Sequence, residues 1–320
     1  MDYVYTGRKK RTKFAILITT YNHEKYIGEA IESALSQNFE DFEVVVSDDA
    51  SLDNTFNICQ NYYNNKLKVY KNNTRLGRVK NYQKALIEYT NSEYILVLDG
   101  DDKLINNNFL YYANKIIKKK QFSLIIAKYN NIEFDYNKKN DIKKIKLDFN
   151  EVEPINFFLN LPNNKFKFYD CSCIYNRDLA INLKAYRYNY IGADLLTLYS
   201  FFLYEGIKVF LIDIETTFWR NHDKNTSLTP SVFEIAKDAN YISILYQKTT
   251  KLSKINKTIL KKWKRQMCYL HFDYYLYLKR NKSNEYLLLI IMYFLFKPLL
   301  FLLYLYTNKL KSTRTIKFKA

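Results

Sequence analysis

Three short apolar runs in the first hundred residues each stop on a cluster of polar side chains. Phe14-Ala-Ile-Leu-Ile-Thr19 leads into Thr20-Tyr21-Asn22, Phe42-Glu-Val-Val-Val-Ser47 into Asp48-Asp49, and Tyr94-Ile-Leu-Val-Leu98 into Asp99-Gly100-Asp101-Asp102. Unbroken runs of branched apolar residues are what strands covered on both faces need. Helix-like patterns separate them. Asn22 offers an N-cap, and Ile27, Ala30, Ile31, Ala34 and Leu35 then recur on one helical face. Further helices are expected over 53–63, 79–89 and 107–119, with further strands over 67–71 and 122–127. Repeated βα units of this length imply an α/β fold, a mostly parallel sheet with helices on both faces. In such sheets ligands bind beyond the carboxyl ends of the strands. The polar clusters stand at those ends.

Composition narrows the partners. The 320-residue chain has 50 Lys+Arg against 32 Asp+Glu, a formal net charge of +18. That excess raises nucleic acid, an anionic membrane surface or a phosphorylated substrate as partner. With 48% hydrophobic and 17% aromatic residues the chain can bury a core, which excludes disorder as its main state. No G-x-G-x-x-G follows the first strand and no G-x-x-x-x-G-K-[ST] occurs, so dinucleotide and P-loop sites are not expected. Cys171 and Cys173 are the one close cysteine pair. No second Cys/His pair lies near to complete a zinc site, so buried thiols are expected. The first residues hold no apolar run of the secretory kind, which points to a reducing, cytoplasmic compartment.

The strongest chemical signal is Asp99-Gly100-Asp101-Asp102. Three carboxylates within four residues repel one another unless a cation or donor hydrogens compensate them. Oxygen ligands of this kind suit Mg²⁺ or Mn²⁺, which would also bind substrate phosphate oxygens. The plain alternative is a solvated acidic turn in which Asp102 caps the next helix. A carboxylate at Asp48 or Asp49 can accept the imide N–H of a uracil or thymine ring, and Thr19 and Tyr21 can line the base pocket. Arg75, Arg78 and Lys80 stand by the next turn, available to a diphosphate.

Taken in order and spacing, Ile18-Thr19-Thr20-Tyr21-Asn22, Val46-Ser47-Asp48-Asp49-Ala50-Ser51 and Leu98-Asp99-Gly100-Asp101-Asp102 resemble the family 2 glycosyltransferases of GT-A fold, of the bacterial surface-polysaccharide type. The resemblance runs over about residues 13–230. It implies that Thr19 and Tyr21 contact the nucleotide, that Asp49 reads the uracil, and that Lys80 and Asn81 are the basic residue and Asn opening the following helix. The D-x-D motif falls on Asp99 and Asp101, with Asp101 the better metal ligand and Asp99 nearer the ribose. The catalytic base falls on Asp194 in Gly192-Ala193-Asp194, where family members often carry Glu-Asp. Arg220 and His222 match the Arg-x-His segment that closes over the diphosphate, with His222 a further metal ligand. His23 and His271 lack such context and are read as structural. The implied activity is metal-dependent, inverting transfer from a nucleoside-diphosphate sugar, UDP above all, to a hydroxyl of a glycan or lipid-linked acceptor.

The implied organisation is a GT-A domain over 13–230, with a nucleotide-sugar half (13–130) and an acceptor and catalytic half (131–230). A helical region over 231–320 follows. Residues 128–167 are Asn- and Lys-rich and read as an irregular connection. Residues 286–306 are almost wholly apolar but carry Lys297-Pro298 at their centre and basic residues on both flanks. A charge and a helix breaker at mid-depth oppose a simple span, and positive flanks prefer the cytoplasmic side. A re-entrant or peripheral hairpin on the cytoplasmic face of the plasma membrane satisfies both; a true span and a buried helix pair are the alternatives. Among other enzymes, a nucleotidyl- or phosphosugar-transferase would use the same sheet without a base at Asp194. A basic nucleic-acid-binding protein would explain +18, but no recognised binding motif supports it.

Overall fold

The computed structural model describes residues 11–279, apart from 121, 131–148, 164–167, 223–224, 226–227, 229 and 253–254. Strands β1 (Thr12–Thr20), β2 (Phe42–Asp48), β3 (Leu67–Lys71) and β4 (Ser92–Asp99) alternate with helices α1 (Ile27–Leu35), α2 (Thr55–Gln60) and α3 (Arg78–Lys84). Next come β5 (Lys103–Leu104), α4 (Phe109–Lys119), β6 (Leu124–Asn130), β7 (Phe149–Val152) and α5 (Pro154–Asn160). Then follow β8 (Cys173–Asn176), α6 (Arg177–Asn182), α7 (Ala193–Phe201), β9 (Val209–Phe218), α8 (Val232–Asp238), α9 (Asn240–Thr250) and α10 (Lys257–Lys279). The strands form one sheet in the order β3-β2-β1-β4-β8-β6-β9-β5, with β7 also on β9.

The first four strands pair in parallel, as their apolar runs require. All seven residues of β2 are buried, as are Phe14 to Thr20 of β1. Alternate residues serve opposite layers. Ile16, Ile18, Val44 and Leu96 pack with α1 and α4, while Ala15, Leu17, Val45 and Val97 share the opposite core with α7, α9 and α10. Trp263 of α10 is 1% exposed in that core, stacked on Phe158 at 4.4 Å with its Nε1–H on the Phe158 carbonyl.

Register places the polar clusters level. Thr19 lies opposite Ser47 on one side and Asp99 on the other, and Thr20 opposite Asp48. One row of strand ends therefore carries all three clusters.

The structure departs from the sequence reading at four points. The sheet is mostly parallel only in its first half: β8 runs antiparallel between β4 and β6, and β9 pairs antiparallel with β5 and β7. Asn22 is no N-cap. It holds a left-handed φ of 56°, and its side-chain oxygen accepts the Leu52 N–H at 2.8 Å. The second helix is shorter than 53–63. The supposedly irregular stretch carries β7 and α5, the latter opened by Pro154 at its first position and capped by Glu153, which accepts from Ile155 N at 2.9 Å.

Cys59, Cys171 and Cys173 are buried thiols. No helix among the described residues is long and apolar enough to cross a membrane. The apolar segment 286–306 lies outside the described residues.

Candidate active site

A cleft of about 710 Å³ runs across the carboxyl ends of the parallel strands. Thr19, Tyr21, Asp49, Asn81, Asp99, Asp101 and Asp194 all line it. Asp48, Lys80, Arg220 and His222 are not on its wall. Asp48 is wholly buried, and its carboxylate accepts from the backbone N–H of Ser51 at 3.0 Å and from the Ser51 hydroxyl. Lys80 points to solvent.

Asp49 shapes the cleft beside the end of β2. Its two oxygens accept the N–H groups of Leu76 and Gly77 at 2.8 Å each, and Asn72 Nδ2 donates at 3.0 Å. The loop can turn back here because Gly77 holds φ +88°, which an L side chain resists. Asn81 fixes the other side by donating to the Ser47 carbonyl at 2.9 Å and accepting from the Ser47 hydroxyl at 2.7 Å. The Arg75 guanidinium lies 3.9 Å over the Tyr21 ring. These bonds hold a pocket of fixed shape beside an aromatic wall.

Beyond β4, Asp99, Asp101 and Asp102 bring carboxylate oxygens within 4.8 Å of one another. Burial, with repulsion from Asp101, pushes Asp99 up to about 6, and burial likewise raises Asp102 well above the carboxylate range. Burial works on Asp101 in the same direction, but the hydrogen bond from His222 and the fields of His23 and His222 prevail and hold it low. His222 Nε2 lies 2.9 Å from Asp101 Oδ2 and its ring stacks on Tyr26. Asp102 caps no helix: it is buried and accepts the Arg220 N–H at 2.8 Å. Arg220 donates from Nε to the Asp101 carbonyl at 2.9 Å and pairs with Glu29 at 3.1 Å. It ties the acidic turn to α1 rather than facing the cleft. Gly100 allows the turn because a Cβ there would sit 2.5 Å from Thr20 Oγ1. Oxygen donors crowded enough to repel, with an imidazole beside them, fit Mg²⁺ or Mn²⁺.

Asp194 opens α7 on the facing wall. Its Oδ1 is buried and, among the described residues, without a hydrogen-bond partner. The loop leading to it is gripped by Arg78, which donates to the carbonyls of Tyr190 at 3.5 Å and of Ile191. Arg78 therefore joins the two walls and at the same time lines the cleft. Asp170 lies nearby, buried and bonded to the Tyr186 hydroxyl, and burial together with repulsion from Asp194 pushes it up to about 8.

The model of glycosyl transferase family 2 matches residues 15–183, more than half of the chain. The chain belongs to that family. Among curated proteins, it is 35% identical over 119 residues to the poly(ribitol-phosphate) beta-N-acetylglucosaminyltransferase TarS of Staphylococcus aureus, covering 36% of this chain and 21% of TarS. It is 32% identical over 97 residues to the GalNAc(5)-diNAcBac-PP-undecaprenol beta-1,3-glucosyltransferase of Campylobacter jejuni, covering 29% and 31%. The chain thus matches only a fifth to a third of the length of these relatives. In fold it is similar to TarS residues 1–349 solved with UDP-GlcNAc, with TM-score 0.63, 23% identity and coverage of 79% and 72%. It is also similar, with TM-score 0.50, 16% identity and coverage of 90% and 82%, to the mannosyltransferase PcManGT of Pyrobaculum calidifontis solved with GDP-Man and Mn²⁺. These likenesses establish the GT-A-like α/β fold.

Ala193, beside Asp194, is 2% exposed and packed in the core. Three residues at the site escaped the sequence reading. His23, read as structural, faces Asp101 with Nε2 at 3.7 Å. Tyr82 donates its hydroxyl to Asp99. Asp238 accepts the Gly192 N–H at 2.9 Å and lines the cleft. No spacing rule could have linked the last to Asp194; only the packing of α8 does.

Proposed function

We propose that this chain transfers a sugar, with inversion, from a UDP-sugar to a hydroxyl of a glycan or lipid-linked acceptor. The observation that carries the reading is Asp194: a carboxylate that lines the same cleft as Asp99 and Asp101, one of its oxygens without a hydrogen-bond partner among the described residues. A base must keep a lone pair free and must reach the acceptor from the side opposite the leaving group. Asp194 takes the proton from the acceptor hydroxyl as that oxygen attacks the anomeric carbon, and the bond to the nucleoside diphosphate breaks in the same displacement. Asp49 and Tyr21 hold the uracil end, Thr19 and Asp99 the ribose. Asp101 and His222 would hold a divalent cation, which when bound neutralises charge developing on the diphosphate. The relatives' names support a nucleotide-sugar donor and, for the Campylobacter protein, an undecaprenol-linked acceptor.

The basic flanks of the 286–306 segment and its apolar length support attachment at the cytoplasmic membrane face. Carbonate extraction of membranes tests that: release of the chain contradicts a spanning or re-entrant segment. A thermal-shift screen of nucleotide sugars with and without Mn²⁺ tests the donor. One UDP-sugar should stabilise the protein more with Mn²⁺ than without; no stabilisation by any of them refutes the reading.

A further inference from the structure

Asp238 ends α8, far beyond the stretch that the family model matches. It is 2% exposed, and its Oδ1 accepts the N–H of Gly192 at 2.9 Å. Gly192 is the residue before α7 and has no side chain with which to cap that helix. Immediately upstream, Arg78 takes the carbonyls of Tyr190 and Ile191. Three backbone groups before the base helix are therefore held by two side chains of opposite charge, a half-buried cation and a buried carboxylate. The cation lies on the carbonyls and the carboxylate on the N–H. Two residues further on, Asp194 Oδ1 has no hydrogen-bond partner among the described residues.

Asp238 is itself immobilised. A Cβ built on Gly192 would meet Asp238 Oδ2 and Tyr241 at 3.5 Å, so α8 and α9 press against this turn. His271 of α10 lies behind: its Nε2–H donates to the Ile235 carbonyl at 3.0 Å, and Tyr241 and Tyr275 stand edge-on to its ring. His271 Nδ1 remains 4.0 Å from Asp238 Oδ2, so the imidazole packs beside the carboxylate instead of sharing a hydrogen bond with it.

The structure assigns Asp238 a positioning role: through the Gly192 N–H it fixes the start of α7, and so the carboxylate of Asp194, against the acceptor. This rests on the reading of Asp194 as base. It makes the helices after residue 230 part of the catalytic apparatus. A displacement of about 1 Å in a reacting group can cost about 100-fold in rate, so a single hydrogen bond to the preceding turn suffices for a large effect.

The test compares Asp238→Ala with Asp238→Asn in the full chain; the amide oxygen of Asn can still accept the Gly192 N–H. Hydrogen exchange needs no substrate. In D238A the 188–196 segment should exchange about 10-fold faster or more, with α8 and α9 unchanged, and D238N should restore protection. With the donor chosen by the screen above, UDP release by D238A should fall about 10- to 100-fold in kcat, with KM for the donor within about twofold, and D238N should recover to within about threefold. Unchanged exchange at 188–196 in D238A overturns the proposal. So does a loss of protection that spreads through α8 and α9 and that Asn fails to rescue, because the role is then one of folding. Asp194→Asn is measured in parallel: normal turnover in that variant refutes the base reading by itself, while the exchange result still reports the clamp.

Discussion

On the wall proposed to hold the donor, Thr19, Tyr21, Asp49, Asp99 and Asp101 all lie within two residues of a parallel strand's end, whereas the facing wall draws Asp194 from a helix start and Asp238 from a helix end. The first wall is aligned by the strand register itself, Thr19 beside Ser47 and Asp99. The second is aligned by braces between distant parts of the chain, Arg78 to Ile191 and Asp238 to Gly192. A ladder of parallel strands tolerates change at one rung, because neighbouring rungs keep the ends level. A braced turn has no such reserve. Substitutions on the two walls should therefore fail in different ways.

The largest effects are expected where each wall meets the reacting atoms. Asp101→Ala and Asp194→Asn should each lower turnover by about 1000-fold, while UDP binding by calorimetry falls only in the first. Equal losses of UDP binding would erase the distinction between a donor wall and a base wall. Next comes stability. Trp263→Ala removes a ring stacked on Phe158 and one buried hydrogen bond, and should cost about 3–5 kcal/mol in urea unfolding. Gly100→Ala forces a methyl against Thr20 and should cost about 1–3 kcal/mol. A Gly100→Ala protein as stable as its parent would mean that the acidic turn has room the register denies it.

The last effect depends on pH. Asp170 has a folded pKa of about 8, raised by burial and by Asp194. A carboxyl raised on folding adds stability that is complete below its unfolded value and disappears as pH climbs toward 8. Asp170→Asn cannot ionise, so its stability relative to the parent should improve between pH 5 and pH 8, by about 1 kcal/mol or more. A difference that stays flat across that range would show Asp170 to be charged throughout.

The same contrast governs what could be read from sequence. On the strand-end wall each side chain follows its own strand, so alternation and strand ends suffice to point to Thr19, to the Asp48-Asp49 pair and to the acidic turn; Asp49 and Asp101 are singled out within them by the family resemblance. Asp194 was reached through resemblance, although Ala193 interrupts the usual pair. Arg78 lines the cleft, as its basic character suggests, but its carbonyl partners 112 and 113 residues away lie beyond any local pattern. His23 is read as structural from the sequence because its neighbour Asp101 comes from another strand's end. Helix α5 was hidden by Asn- and Lys-rich flanks, even though Glu153-Pro154 is an ordinary helix start. Local chemistry was legible; the tertiary braces were not.

Trp263 sets a practical boundary. The family match stops at residue 183, and a recombinant version cut there, or at 230, would look complete by homology. It would also lack the indole that covers Phe158, and with it Leu260, Met267, Tyr241 and Leu245, all of which share a core with Ala15, Leu17 and Val97. Such a fragment would expose an oily wound beneath the sheet and precipitate or invite proteolysis. Grafting this catalytic cassette onto another carrier requires carrying α10 along with it.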